Sequence, residues 1–441
     1  MQQQSSIMTA TGGFRRELGL IDSIVVVAGG IVGVGIFANP SNVARVVGDP
    51  VLILLVWAIG GAVAMIGGFV WAELASRYPE VGGQYVYLRR AYPPVVGFLY
   101  GVALLFIING GSLAAVSILF ASYVDRSFVP LGATGVRIVA AGALVGLTAV
   151  NAVGVRAGKW TNNVLMAAKV AGMLALVALA LAHGATPASR FALSSTTLEQ
   201  ASPRLLLTAL VPILFAYGGW QSCANIAGEI RDPARNLARA TVLGVVAVVA
   251  LYLLLNLAYL WVLTPEAVAA SPALAADMAR TVAGNRGARL VSTLIVVSSL
   301  GFIAVVILTG SRLIYAMAAD GRFFRAASRL HPRYRTPVFA LWFQAAVCLA
   351  LMATNSYDQL LSYVVFADWL FFGLTAAALF VLGGPVGVPG HPVTTGLFVA
   401  VAFGIVVNSF IATPTQSLIG SMILAAAALA FFAQGKQRGA R

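Results

Sequence analysis

The chain has 441 residues, of which 60% are hydrophobic and 10% charged, with a mean hydropathy of +0.91. This composition excludes an ordinary water-soluble globular protein, in which about a quarter of the residues are charged. A net charge of +14 is compatible with nucleic-acid binding, but the basic residues are spread over short segments between apolar runs, so we expect no nucleic-acid partner.

Twelve apolar runs predict an all-α membrane protein with twelve transmembrane helices, since about 20 apolar residues span ~30 Å of hydrocarbon. The runs cover 20–44, 51–75, 94–122, 134–151, 162–182, 205–228, 237–263, 288–318, 337–354, 360–383, 393–411 and 416–434. We predict a single transmembrane domain over 20–434, flanked by cytoplasmic tails at 1–19 and 435–441. The first run has no small-residue cleavage site, so it is interpreted as a retained helix. The connections near 183–204 and 264–287 are rich in Pro, Ser and Thr and are predicted as loops.

The basic residues also predict an orientation. Of the 28 lysines and arginines, eighteen would lie in inside segments and eight outside if the first helix enters from the cytoplasm, while Lys169 and Arg312 fall within helices. The positive-inside rule then places both termini in the cytoplasm of a multi-pass inner (plasma) membrane protein. The five arginines of segment 320–337 are interpreted as a topology anchor and not as a regulatory lipid site.

Two glycine-rich segments interrupt long apolar runs, GGIVGVGIF at 29–37 and FAYGGW at 215–220. Where a membrane helix breaks, the freed N–H and C=O groups cannot face lipid, so they line a cavity or hold a ligand. One such break in each half of the chain indicates the midplane binding site of a secondary transporter. The alternative is that these glycines only allow close helix packing.

The two breaks align when the segment 20–182 is laid over 205–383. Because five helices reverse the orientation, this alignment predicts a five-plus-five inverted repeat with helices one and six broken and the substrate between the halves. The extra helices at 393–434 would form a scaffold or a homo-oligomer contact.

Five longer segments carry a family resemblance. They are GVGIF followed by ANPSNVA, WAELASRYPEVGGQYVYLRRAYPPVVGFLYG, NAVGVRAGKWTNNVLMAAK, FAYGGWQSCANIAGEIRDPARNLARA and TGSRLIYAMAADGRFFRAASRLHPRYRTPVFALWFQ. Together they resemble the amino acid, polyamine and organocation transporter superfamily, and within it the L-type amino-acid transporters and their bacterial relatives. The resemblance implies the fold of the sodium-coupled leucine transporter without its obligatory sodium chemistry.

The resemblance also implies a substrate site at the breaks. The substrate carboxylate would lie on backbone N–H groups of Val34, Gly35 and Ile36, where a half-helix N-terminus favours an anion. The ammonium would bond to backbone carbonyls, namely those of Ile31, Phe215, Ala216 and Gly218. Gly33 belongs to the same site, Phe215 is a candidate outer gate, and Trp220 is either a pocket residue or a packing residue. The family usually has serine where this chain has Val34, so one hydroxyl near the carboxylate is missing.

Lys169 lies about seven residues inside the fifth span, where a charged side chain is a functional hypothesis by default. The resemblance implies that its ammonium reaches the first break and replaces the sodium ion of coupled relatives, near Ser298 and Ser299. The alternative is a lysine that extends to the membrane interface.

Asp368 is the one carboxylate clearly inside a later span. It is a candidate for proton coupling or for pairing with a cation, and the alternative is a half-buried residue bonded to backbone or water.

The sequence contains no catalytic signature. Its three histidines are scattered without metal-ligand spacing and no P-loop occurs, so we predict no metal, no cofactor, no enzyme activity and no ATP-driven transport. The predicted function is sodium-independent exchange (antiport) of neutral amino acids by alternating access, with no partner subunit evident. The alternatives are a proton-coupled or cationic amino-acid or polyamine transporter and, from other classes, a non-transporting sensor or a membrane-embedded enzyme.

Overall fold

The computed structural model describes residues 16–33, 35–80, 82–183, 191, 202–221, 224, 226–271, 273–355 and 357–439. Over these ranges the chain is nearly all helical, and the β-type pairing consists of one isolated bridge between Leu18 and Ile230. The helices are α1 (Leu20–Ile31), α2 (Gly35–Val47), α3 (Pro50–Arg77), α4 (Gln84–Ala91), α5 (Pro94–Ala103), α6 (Gly110–Ser127), α7 (Gly132–Val153), α8 (Val155–Ala182), α9 (Pro203–Tyr217), α10 (Pro233–Val262), α11 (Pro265–Ala270), α12 (Leu274–Ala319), α13 (Val338–Thr354), α14 (Tyr357–Leu382), α15 (Val393–Ala412) and α16 (Pro414–Gly439).

Within the described ranges, nine helical stretches are long and apolar enough to cross a membrane. Three shorter apolar helices, Met166–Ala182, Leu205–Tyr217 and Val338–Thr354, lie where the fifth, sixth and ninth spans are predicted. The prediction of an all-α membrane protein is confirmed. Large apolar side chains point outward from the last two helices, with Val393 76% and Leu429 73% exposed, as expected of surfaces that face lipid.

Helix starts follow the local sequence. The Asp49 carboxylate accepts hydrogen bonds from the backbone N–H groups of Val51 and Leu52 at 2.8 and 2.9 Å, and Pro50 occupies the first position of α3. Ser202 caps α9 in the same way through the N–H of Leu205. These caps satisfy backbone donors that have no partner inside the helix.

The predicted loop at 264–287 is wrong. Most of this segment belongs to α11 and to the first part of α12, which bends at Ala283 and Gly284. Thr264 and Pro265 form a helix-start signal, and the Thr264 hydroxyl accepts a hydrogen bond from the N–H of Ala267. The other predicted loop, at 183–204, lies largely outside the described residues.

Helices from the two halves of the chain pack against each other. α9 packs on α2, α10 on α3 and α1, and α12 on α6 and α8. Both parts of the first interrupted helix, α1 and α2, therefore contact helices of the second half of the chain.

Candidate functional site

The first break separates α1 from α2. α1 ends at Ile31, and the N–H groups of Val32 and Gly33 bond back to the carbonyls of Ala28 and Ile31, each at 2.7 Å. α2 begins again at Gly35, and Val34 lies outside the described residues. The first N–H groups of α2 have no carbonyl partner one turn earlier in their own helix, and they carry the positive end of its dipole. This end of the break is suited to a carboxylate.

The second break begins after Tyr217, where α9 ends. The N–H of Gly218 bonds to the Phe215 carbonyl at 3.2 Å, and the Gln221 side-chain oxygen accepts from the N–H of Gly219 at 3.1 Å. Gly219 has φ +120°, a backbone conformation that side chains with a Cβ rarely adopt. The break therefore presents the carbonyl end of a half-helix, which suits an ammonium group.

The two breaks touch each other through glycine. A Cβ on Gly219 would lie 2.2 Å from the Gly30 carbonyl oxygen, and one on Gly35 would lie 2.9 Å from the Ala216 Cα. Close packing, the alternative considered for these glycines, therefore applies at Gly35 and Gly219. It does not compete with a binding role, because this contact is what brings both sets of freed backbone groups to one place.

A cavity with about 810 Å³ of space not filled by atoms, part of it open to solvent, lies between the breaks. Its wall includes the following predicted site residues: Ile31, Gly33, Gly35, Phe215, Ala216, Gly218 and Asp368. Five predicted residues do not line it: Ile36, Lys169, Trp220, Ser298 and Ser299. The geometry thus brings both breaks and Asp368 to one cavity.

The Ile31 carbonyl, a predicted ammonium ligand, already has two partners. It accepts hydrogen bonds from the N–H of Gly33 at 2.7 Å and from the Tyr252 hydroxyl at 3.1 Å. Since a carbonyl oxygen has two lone pairs, both are engaged in this conformation.

Trp220 lies behind the cavity wall. Its side chain is fully buried and packs on Trp71 and Phe372, with ring centroids 6.0 and 5.1 Å apart. In this structure Trp220 is a packing residue and does not line the cavity.

Lys169 extends from α8 to the first break. Its side chain is buried, and Nζ lies 2.5 Å from the Val32 carbonyl oxygen at the end of α1. The Ser299 hydroxyl donates to the Ile295 carbonyl at 2.8 Å, and the buried Ser298 hydroxyl has no hydrogen-bond partner among the described residues. Lys169 therefore holds the carbonyl end of α1 in place, and neither serine shares a hydrogen bond with it in this part of the chain.

A π-helical turn over Leu104–Asn109 interrupts the third span, and sequence analysis missed it. Asn109 at the end of this turn and Ser112 in the first turn of α6 line the cavity. Two glycines follow the turn: a Cβ on Gly110 would lie 2.8 Å from the Leu105 carbonyl oxygen, and one on Gly111 would lie 2.8 Å from Val364. The polar and glycine residues of the segment NGGS inside an apolar run were the available sequence signal. π-Helical turns occur frequently at functional sites.

A buried ion pair follows the second break. Arg312 Nε donates to Glu229 Oε1 at 2.8 Å, and both side chains are at most 1% exposed. The same segment pairs with Leu18, two residues before α1, through bonds from Leu18 N–H to the Glu229 carbonyl and from Arg231 N–H to the Leu18 carbonyl. The sequence indicated Arg312 only as a charge within a helix, whereas the structure makes it the link between the second break and α12.

A helical membrane bundle with two interrupted helices that open onto one central cavity defines a secondary membrane carrier. The sequence profile of the family described as amino acid permease matches residues 18–432. The chain therefore belongs to the amino acid permease family, and the resemblance to this superfamily and its L-type members is confirmed.

Relatives with known names are similar over most of their length. The chain is 30% identical to the human b(0,+)-type amino acid transporter 1 over 96% of this chain and 88% of that protein. It is 28% identical to the serine/threonine exchanger SteT of Bacillus subtilis (strain 168), over 98% and 99%. It is also 28% identical to the human large neutral amino acids transporter small subunit 2, over 83% and 70%. The protein is an amino acid permease.

Proposed function

We propose that this permease is a sodium-independent exchanger of amino acids that works by alternating access across the plasma membrane. The observation that carries the proposal is the meeting of two helix breaks at one cavity, with N–H groups at one break and carbonyl ends at the other. An amino acid carries one anionic and one cationic group on the same carbon, and the two breaks complement both.

In this proposal the α-carboxylate binds the N–H groups at the start of α2, those of Gly35 and Ile36 together with Val34. The α-ammonium binds the carbonyls of the second break. Phe215, Ala216 and Gly218 supply these carbonyl groups and line the cavity. The ring of Phe215 is also the proposed outer gate.

Sodium independence is argued from Lys169. Its ammonium lies against the Val32 carbonyl and supplies a fixed positive charge where the first half-helix ends. A cation that belongs to the protein leaves no requirement for a bound metal ion at this carbonyl. The Bacillus subtilis relative is named an exchanger, which supports exchange over net uptake.

The proposed architecture has twelve transmembrane helices in a five-plus-five inverted repeat, in one domain over 20–434. Nine long stretches and three shorter helices coincide with the twelve predicted spans. The packing of α2 on α9, α3 on α10 and α6 on α12 joins helices five spans apart, as a two-fold related pair of repeats requires. We place both termini in the cytoplasm, on the distribution of arginine and lysine.

Uptake into liposomes tests this function. Purified protein is reconstituted, and labelled alanine, leucine, serine, lysine and arginine are offered in sodium-free buffer, with or without an unlabelled amino-acid mixture inside. We expect uptake only into loaded liposomes, with no increase on adding sodium. Equal uptake into unloaded liposomes would replace exchange by facilitated diffusion, and absence of flux for all five amino acids, despite binding, would favour the sensor.

A further inference from the structure

Asp368 is a carboxylate on the cavity wall. It lies near the middle of α14 and lines the cavity between the breaks. Among the residues described, no lysine or arginine forms an ion pair with it, and no hydrogen bond to its oxygens is found. A carboxylate at membrane depth is costly unless a cation or donors offset its charge. The missing partner is therefore one that a ligand can supply.

Aromatic side chains line the same cavity as Asp368. Trp369 and Phe372 follow Asp368 on α14, and Phe215 and Phe302 line the cavity from α9 and α12. The faces of such rings attract ammonium and guanidinium groups, and the attraction increases when the groups are removed from water. A cavity lined by a carboxylate and by aromatic rings is suited to binding an organic cation.

The backbone site and Asp368 border the same cavity, so one substrate can contact both. Gly33 and Gly35 at the first break and Asp368 on α14 line a single cavity. A substrate with its α-carbon groups at the breaks therefore extends its side chain along this cavity.

We propose that Asp368 binds the side-chain cation of the substrate, so that the permease transports amino acids with an ammonium or guanidinium side chain. This inference rests on the proposed exchange function and names its substrate class. It departs from the neutral substrates that the sequence favours, because the sequence could not place Asp368 in the cavity.

Lysine and norleucine provide the test, since their side chains have the same four-carbon length and differ in the ammonium group. The ratio of lysine to norleucine exchange is measured in reconstituted liposomes for the wild type, Asp368→Asn and Asp368→Glu. We expect Asp368→Asn to lower the ratio about tenfold or more, as loss of a charge-assisted hydrogen bond predicts, and Asp368→Glu to restore part of it. Glu266→Gln removes an exposed carboxylate in α11, outside the cavity, and should leave the ratio unchanged.

The outcomes separate this inference from the exchange function. Exchange of norleucine or alanine without exchange of lysine or arginine would overturn the inference and leave exchange standing, whereas absence of all flux would overturn exchange itself. If Asp368→Asn leaves the ratio unchanged but abolishes uptake driven by a proton gradient, Asp368 carries a proton and does not select the substrate. Thermal unfolding of each variant in detergent identifies any that fail to fold.

Discussion

The two helix breaks are supported in different ways. The first spans three positions between Ile31 and Gly35, and side chains from other helices hold it: Lys169 bonds to the Val32 carbonyl, and Tyr252 to the Ile31 carbonyl. The second break is held by close backbone packing of Gly219 against the Gly30 carbonyl and by the buried ion pair between Glu229 and Arg312.

This difference predicts how each break responds to substitution. A side chain at position 219 would place its Cβ 2.2 Å from the Gly30 carbonyl oxygen, so substitutions at the second break should act sterically and strongly. A hydrogen bond from a side chain contributes less, so changes at the first break should be graded.

The largest effect is expected from Gly219→Ala. The new Cβ would collide with the Gly30 carbonyl, and alanine disfavours φ +120°, so the two costs together reach about 2 to 5 kcal/mol. Amino-acid exchange in liposomes should fall below a tenth of the wild-type rate. Gly142→Ala in α7 is the matched control, because nothing lies within 4 Å of that position. Equal exchange by both variants would contradict the steric account of the second break.

The ion pair beyond the second break should have an effect of comparable size on the stability of the fold. Glu229→Leu or Arg312→Met alone leaves a buried, uncompensated charge, which costs about 3 to 5 kcal/mol, whereas the double variant removes both charges. Thermal unfolding in detergent should show lower midpoints for both single variants and recovery in the double variant. Additive losses would mean that the two residues stabilise the fold independently.

Lys169→Met tests the first break. Loss of a hydrogen bond from a charged group costs about 1.5 to 3 kcal/mol, so exchange should slow about 10- to 100-fold while the protein remains folded. Arg137→Met, at an exposed position of α7, removes a positive charge outside the cavity. Exchange rates of both variants in sodium and in choline buffer provide the measurement. A Lys169→Met variant that exchanges at the wild-type rate without sodium would refute the proposed role of the ammonium.

The smallest effect is expected from Tyr252→Phe, which removes one neutral hydrogen bond to Ile31. A cost of about 0.5 to 1.5 kcal/mol should change the apparent affinity for the amino acid two- to tenfold. Tyr259→Phe is the control, because the buried Tyr259 hydroxyl has no hydrogen-bond partner in the described part of the chain. Identical affinities for the two variants would show that the Tyr252 bond does not position the first break.

Several features were predictable because their causes are local. Apolar runs predict helices in a membrane, and glycine segments within them predict breaks, since both depend on neighbouring residues and on the cost of unpaired backbone in lipid. The glycines at 33, 35, 218 and 219 line one cavity, as two breaks facing one another require. The approach of Lys169 to the first break was predicted from family resemblance, and its functional role stays a prediction.

Other features were decided only by how the helices pack. Asp368 lines the cavity, Trp220 lies behind it, and Arg312 meets Glu229 across 83 positions of sequence. A helix that is apolar on all sides carries no amphipathic pattern to show which face turns inward. The sequence alone therefore determined which segments form long apolar helices and where two of them break. Tertiary structure determined which side chains face the cavity, because the rotation of each helix about its axis is set by its neighbours.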